Sequence, residues 1–531
     1  MYSLGIEFST QSVKMVVLDL DSCAIHYTDM FGYDSTFPEY ETQGGVLPSD
    51  SADVRHTSPC MLVKAIDFTF QKLNRDGIDL SNIRSIKTDG MQHCTIYTNK
   101  LFKKIIKRLD PEKTLVDQLE KCFSRKTSPI WEDRSPVEEV QYLTDSLEKF
   151  GGINTLTGNR AELRFPAAQI LKWAKESPTE YEHTSHIFLL SAFITSILAG
   201  ELAPVDTGDG WGTNLNHLDI KEPGWSHPVI SAADTYLKNM GRSSLADKIG
   251  DMVHYDTAIG KINPYFAGKF HMRPDTIILA GTGDNPATLM GCGGNTVISM
   301  GSSYTVNGVM DSIVASESGE YNIFGYAGKR AMALSVITNG GKVHDYFHKK
   351  FIRKGSSALR GTGDWKLYTE AVGSLRLSKK EKLMLPYLMD ESVPLKKSGI
   401  ICDEFSPDDE QTTIRSLHLS QALSLKLHSG HLGLPEKLCV VGGGAKSPVM
   451  RQWIADAFNT ETYSINSFDM AAPMGCAISG AAKIINISSQ EAFNIFVTKD
   501  ENSICQPKPE QIDNMNYLLA RYRKLEDTYA G

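Results

Sequence analysis

A carboxylate between glycines at the start of a helix is well placed to take up a proton. The run Gly281-Thr282-Gly283-Asp284-Asn285-Pro286 has that form. The apolar residues 277–280 predict a strand, and Asn285 with Pro286 reads as an N-cap and a first helical residue. Asp284 then lies at a strand's C-terminal end, facing a helix N-terminus, where open α/β sheets bind their ligands. Held there it is expected to stay ionised and to accept a proton from a substrate hydroxyl. A turn aspartate also serves its own backbone, so the motif alone leaves both readings open.

Other polar residues sit at similar edges. Gln92 and His93 follow Gly90-Met91 at the end of a strand predicted from residue 83, and could offer donors and acceptors to a polyol. A buried histidine satisfied by its own core is the plainer alternative. Arg160 and Arg164, in residues 157–165, serve equally as ion-pair partners or as ligand contacts. The triple glycine Gly442-Gly443-Gly444 follows an apolar strand and precedes Ser447-Pro448, a helix start, so a nucleotide or a plain turn fits it. It is neither a dinucleotide fingerprint nor a Walker A loop, because the required glycine spacing and Gly-Lys-Ser/Thr are absent.

The elements that must carry these residues alternate between strand-like and helix-like, which predicts an α/β protein. Residues 4–8 and 13–18 form one expected hairpin around the polar tip Ser9-Thr10-Gln11-Ser12. Residues 296–300 and 304–310 repeat it around Gly301-Ser302-Ser303, which points to a duplicated architecture with a boundary near residue 290. After Ser447, residues Met450, Trp453, Ile454, Ala457 and Phe458 share one apolar helix face. A final amphipathic helix is expected over residues 512–529, and residues 98–128 and 352–364 read as surface loops.

Composition bounds the function. At 531 residues the chain is too long for one core. Lys+Arg 55 against Asp+Glu 63 gives a net charge of -8, with no basic footprint for nucleic acid. Nine scattered cysteines form no C-x-x-C pair, arguing against zinc ribbons and for a reducing, cytoplasmic setting. His344 and His348 stand at i,i+4 without an H-E-x-x-H frame. The longest apolar run, residues 187–199, suits a buried helix rather than a membrane span, and no signal peptide is visible.

Six segments, in order, resemble the FGGY-type carbohydrate kinases, and among them the eukaryotic-type xylulokinases. They are residues 5–14 (GIEFSTQSVK), 92–97 (QHCTIY), 131–134 (WEDR), 156–165 (LTGNRAELRF), 282–287 (TGDNPA) and 442–456 (GGGAKSPVMRQWIAD). The resemblance implies two actin-like (ribonuclease-H-like) domains, residues 1–290 and 291–531, with Mg-ATP in the cleft between them. It implies that Thr10, Gln11 and Lys14 face the phosphates from the first hairpin, and Gly301 with Ser302 from the second. Gly443, Gly444 and Ala445 would lie along the adenosine, with Trp365 beside it. For the sugar it implies Gln92, His93, Arg164, Asp284 and Asn285, with Asp284 as the general base. The expected reaction is D-xylulose to D-xylulose 5-phosphate. The partners expected are a sugar, no nucleic acid and no membrane, and the state a monomer or homodimer.

The chain departs from that pattern in places. Glu7 stands where the family carries Asp, so a magnesium contact there is expected through water. Asp390-Glu391-Ser392 replaces Gly-Glu-Arg, Met91 replaces Gln, and Cys94 replaces Gly. A kinase for another ketose or polyol (ribulose, glycerol, a gluconate-like acid), a nucleotide-driven scaffold and a catalytically silent sugar sensor are the competing readings.

Overall fold

The computed structural model describes residues 1–353 and 362–529; most of the loop expected at 352–364 lies outside them. The chain forms two compact units. The first comprises Met1–Gly291, Ser312–Met332 and Asp469–Val497, and the second Cys292–Asp311, Ala333–Phe468 and Thr498–Gly531. The chain therefore leaves the first unit after Gly291 and returns to it twice, which a single boundary near 290 does not describe.

In the first unit, Tyr2–Phe8 and Ser12–Asp19 form an antiparallel hairpin, and Ala24–Gly32 continues the meander. Tyr2–Phe8 also pairs in parallel with Ile83–Gly90, which in turn pairs with Ile277–Leu279 and Thr282–Gly283. These strands are buried on both faces, as central strands of α/β sheets are. The helix Ala471–Ile485 packs on Tyr2–Phe8, on Ile83–Gly90 and on the helix Asp284–Gly291. Two glycines permit that approach. A Cβ on Gly5 would lie 1.9 Å from the Pro473 carbonyl oxygen, and one on Gly475 would lie 2.0 Å from that of Ala287.

The second unit repeats the plan. Thr296–Met300 and Tyr304–Val309 form an antiparallel hairpin, and Thr296–Met300 pairs in parallel with Lys437–Val441. Glu461–Ile465 and Lys499–Cys505 extend the sheet. Ser447 caps the helix Pro448–Phe458 by accepting from the Met450 N–H, and Trp453, Ile454 and Phe458 are buried along it. That helix packs on Glu410–Leu427 and Pro509–Thr528, the last being the amphipathic helix expected near the C-terminus.

Two local expectations shift. Residues 98–128 are not a loose loop: they carry the helices Phe102–Ile105 and Leu115–Leu119, with Phe102, Leu115, Leu119 and Cys122 fully buried. Hydrophobic anchors that were spaced too irregularly to read as a helix hold this segment down. In the apolar run 187–199, the strand His186–Leu189 gives way to the helix Leu190–Ala199. Among the described residues no single helix is long and apolar enough to cross a membrane.

Candidate active site

The first unit gathers carboxylates along one row of its sheet. Register places Lys14 opposite Glu7, Glu7 opposite Asp89, and Asp89 opposite Thr282, two residues before Asp284. Glu7 Oε2 lies 2.9 Å from Lys14 Nζ, an ion pair that is mostly buried. Burial raises the Glu7 pKa and Lys14 opposes that shift. Asp89 is fully buried, with the Cys476 Sγ 3.3 Å from its Oδ2 and no hydrogen bond on its Oδ1. Burial first, then the charges of Glu7 and Asp284, hold its carboxyl well above the usual range.

Asp284 is the first residue of the helix Asp284–Gly291, which starts two positions earlier than the sequence predicts. It keeps a partly exposed surface. Burial, and then the Glu7 charge, push its pKa up to about 7, against the pull of the Asn285 and Gln92 backbone amides. The expectation of a permanently ionised Asp284 is corrected accordingly, because desolvation outweighs the helix end. Asn285 Nδ2 donates to Asp284 Oδ1 at 3.0 Å and to Gln92 Oε1 at 2.6 Å. Gln92 is buried and donates from Nε2 to the Gly208 carbonyl at 3.1 Å, so its amide is satisfied within the protein. Gly283 makes room for it: a Cβ there would lie 2.5 Å from Gln92 Cγ.

His93 sits in the left-handed region, φ 67°, in the turn that follows Ile83–Gly90. Its Nδ1 lies 2.7 Å from the Gly212 carbonyl, and its ring stacks on Phe165 with centroids 4.3 Å apart. Burial, with the Arg164 charge behind it, lowers its pKa to about 3, so the ring is neutral near pH 7. Arg164 donates to Asn322 Oδ1 at 3.4 Å, and its Nε is buried without a partner. Arg160 is instead ion-paired to Glu162 at 2.7 Å.

The remaining expected contacts divide between the units. In the first, the hairpin tip presents Thr10 and Gln11, and Trp131 Nε1 donates to Thr10 Oγ1 at 3.0 Å. In the second, the exposed Gly301 and Ser302 use their carbonyls to accept from Gly341 and Lys342, tying the tip to the helix Gly341–Phe351. Gly442 lies against the Met300 backbone with φ 89°; Gly443 and Gly444 remain accessible, while Ala445 is buried. Trp365 stacks on His348, centroids 4.2 Å apart and 9° from parallel. His344 is held by Tyr368 and Gln421. Glu391 accepts from the Thr338 and Asn339 backbone, so it braces a loop in this unit.

Reading the sequence did not single out Asp89, Asp206 or Asp209. Asp206 and Asp209 are also buried, and Ser191 Oγ donates to Asp209 at 2.5 Å. Burial raises Asp206 to about 7 and Asp209 well above the ordinary range. The signal in the sequence was weak: the strand Ile83–Gly90 carries three charges, Arg84, Lys87 and Asp89, beside Ser85 and Thr88. Lys87 is fully buried and donates to the Tyr255 and Ala280 carbonyls.

No protein-family model matches the chain. A curated xylulose kinase from Rattus norvegicus is 28% identical over 540 residues, covering 98% of this chain and 96% of the relative. This chain is similar to the xylulose kinases over nearly its whole length. Among solved structures, xylulose kinase from Rhodospirillum rubrum superposes with a TM-score of 0.80 at 13% identity, covering 99% of each chain. Plasmodium falciparum glycerol kinase with ADP gives 0.76 at 14% identity, covering 100% of this chain and 98% of the other. The fold is the two-domain, actin-like fold of the FGGY sugar kinases, in keeping with the six sequence segments.

Proposed function

We propose that this chain is an ATP-dependent carbohydrate kinase that converts D-xylulose to D-xylulose 5-phosphate. The observation that carries the reading is Asp284: a partly exposed carboxylate with a pKa of about 7, flanked by Asn285. That value suits a general base near neutral pH. Asp284 takes the proton of the terminal hydroxyl as its oxygen attacks the γ-phosphorus. The bond from the γ-phosphorus to the bridging oxygen breaks, and its electron pair leaves with ADP. Arg164, with its unpartnered Nε, and His93 bind the sugar, while Asn285 holds both the base and the substrate.

Thr10, Gln11 and Lys14 in the first hairpin, and Gly301 with Ser302 in the second, bind phosphates through short polar tips. Gly443, Gly444 and Ala445, with Trp365, serve the adenosine; the buried Ala445 does so through its backbone. The donor set also suits magnesium. Glu7 has Lys14 as its ion-pair partner, and the buried Asp89 Oδ1 across the ladder accepts no hydrogen bond, so two carboxyl groups with the oxygen donors magnesium takes stand side by side. No group of three His, Cys, Asp or Glu side chains among the described residues could hold a metal alone, so Glu7 would hold the ion through water. When bound, magnesium supplies charge neutralisation for the transferring phosphoryl group.

The test is ADP release by the purified protein with Mg-ATP and D-xylulose, D-ribulose, L-xylulose, glycerol or gluconate, beside Asp284→Asn. D-xylulose-dependent turnover that collapses in the variant supports the reading. Turnover with another of these sugars alone rejects the substrate and keeps the chemistry.

A further inference from the structure

We propose that Gln92 is a positioning residue that fixes which end of the Asn285 amide meets the sugar, so that the site selects hydroxyl groups as donors. This rests on the sugar-kinase reading above and specifies how that site recognises its substrate. The Gly208 carbonyl can only accept a hydrogen bond, so the Gln92 group facing it at 3.1 Å must be the amide nitrogen. Gln92 Oε1 is then the end that faces Asn285, and it can only accept. Asn285 must turn its nitrogen inward, at 2.6 Å, and spends its second N–H on Asp284 Oδ1 at 3.0 Å. Asn285 Oδ1 is left with no donor among the described residues. One backbone carbonyl thus sets the polarity of two side-chain amides in series.

His93 follows the same logic. The Gly212 carbonyl at 2.7 Å requires the proton on Nδ1, which leaves Nε2 of the neutral ring as a bare acceptor. The two neutral groups offered to the sugar are therefore both acceptors, and the donors come from Arg164. A substrate must bring hydroxyl protons to Asn285 and His93; a carbonyl or a fluorine in either place faces a lone pair. Gln92 can hold this arrangement because it is buried and its side chain is confined against Gly283.

Calorimetric binding of D-xylulose and of its 1-, 3- and 4-deoxy and deoxyfluoro analogues tests this, with wild type and Gln92→Leu compared. Fluorine accepts weakly and cannot donate. For wild type, at least one position should lose about ten-fold or more in affinity, and equally for fluorine and for hydrogen. In Gln92→Leu the freed amide can rotate, so the fluoro analogue at that position should regain several-fold against its deoxy counterpart while D-xylulose weakens. A purely structural role for Gln92 would weaken all three together. Fluoro analogues that bind wild type as tightly as D-xylulose at every position overturn the proposal, as does an unchanged fluoro-to-deoxy ratio in the folded variant. If Gln92→Leu does not fold, Gln92→Met serves for the same comparison, and the wild-type series stands by itself. If D-xylulose neither binds nor turns over, the kinase reading fails and this inference falls with it. Turnover of D-xylulose with fluoro analogues bound equally well rejects the inference alone.

Discussion

Asp89 lies directly opposite Glu7 in the parallel ladder between Tyr2–Phe8 and Ile83–Gly90, and both carboxylates are buried. Like charges in a dry sheet repel, and the excess is answered by Lys14 on the next strand. The site is thus built from carboxyl groups that hold their protons tightly before any ligand arrives. Its behaviour with pH follows from that.

The acids whose folded pKa is raised bind protons more tightly in the native state than in the unfolded chain. For Asp206 and Asp284 the window runs from the ordinary carboxylate value to about 7. The native state is favoured below that window, and stability falls as pH rises through it. The ligand-free protein should therefore melt at a lower temperature at pH 8 than at pH 6. Asp206→Asn should flatten the slope and gain on the order of 1–3 kcal/mol at pH 8. Thermal melts across that range check both, and a midpoint that climbs toward pH 8 would contradict the assignment.

Activity should run the other way. The base must be ionised, so kcat/KM for D-xylulose should rise with pH through about 7, the value set by the Asp284 environment. Asp284→Asn should lose about 10²-fold or more in kcat while melting slightly higher than wild type. Loss of activity together with loss of stability would mean that the side chain serves the fold instead.

His93 should contribute binding and no inflection of its own, because its pKa of about 3 lies below the working range. His93→Ala removes one acceptor and the stack on Phe165. The expected result is a sugar KM about ten-fold higher, with the acid limb still near 7. A limb that moves in this variant would assign the titration to His93.

Gly5→Ala tests the packing beneath the site. A Cβ 1.9 Å from the Pro473 carbonyl oxygen meets backbone, which cannot swing aside. A loss of about 3 kcal/mol or more follows from overpacking at such a crossing, read as a fall in thermal midpoint. Gly283→Ala is milder, since it meets the Gln92 side chain; it should reduce kcat/KM more than stability.

Motif order in the sequence carried the two hairpins, the Gly-rich turn and Asp284 with its neighbours, because turn chemistry and strand length are local properties. The role of Asp89 was hidden, since only register places it against Glu7. The raised pKa of Asp284 was hidden for the same reason: desolvation comes from residues distant in the chain. Gln92 looked like a sugar contact because its spacing beside His93 says nothing of Gly208. Residues 98–128 looked loose because their buried side chains are matched to partners elsewhere and not to a helical period.

The return of Asp469–Val497 to the first unit sets the order in which the molecule can be made. The helix Ala471–Ile485 covers Tyr2–Phe8 and Ile83–Gly90, the strands that carry Glu7 and Asp89. A ribosome that has finished residue 291 has produced every strand of that sheet and not the helix that seals it. The nascent chain must keep an apolar seam open while nearly two hundred further residues emerge. A fragment ending at 291 should for this reason aggregate rather than fold, and adding residues 469–497 as a separate peptide should restore its solubility.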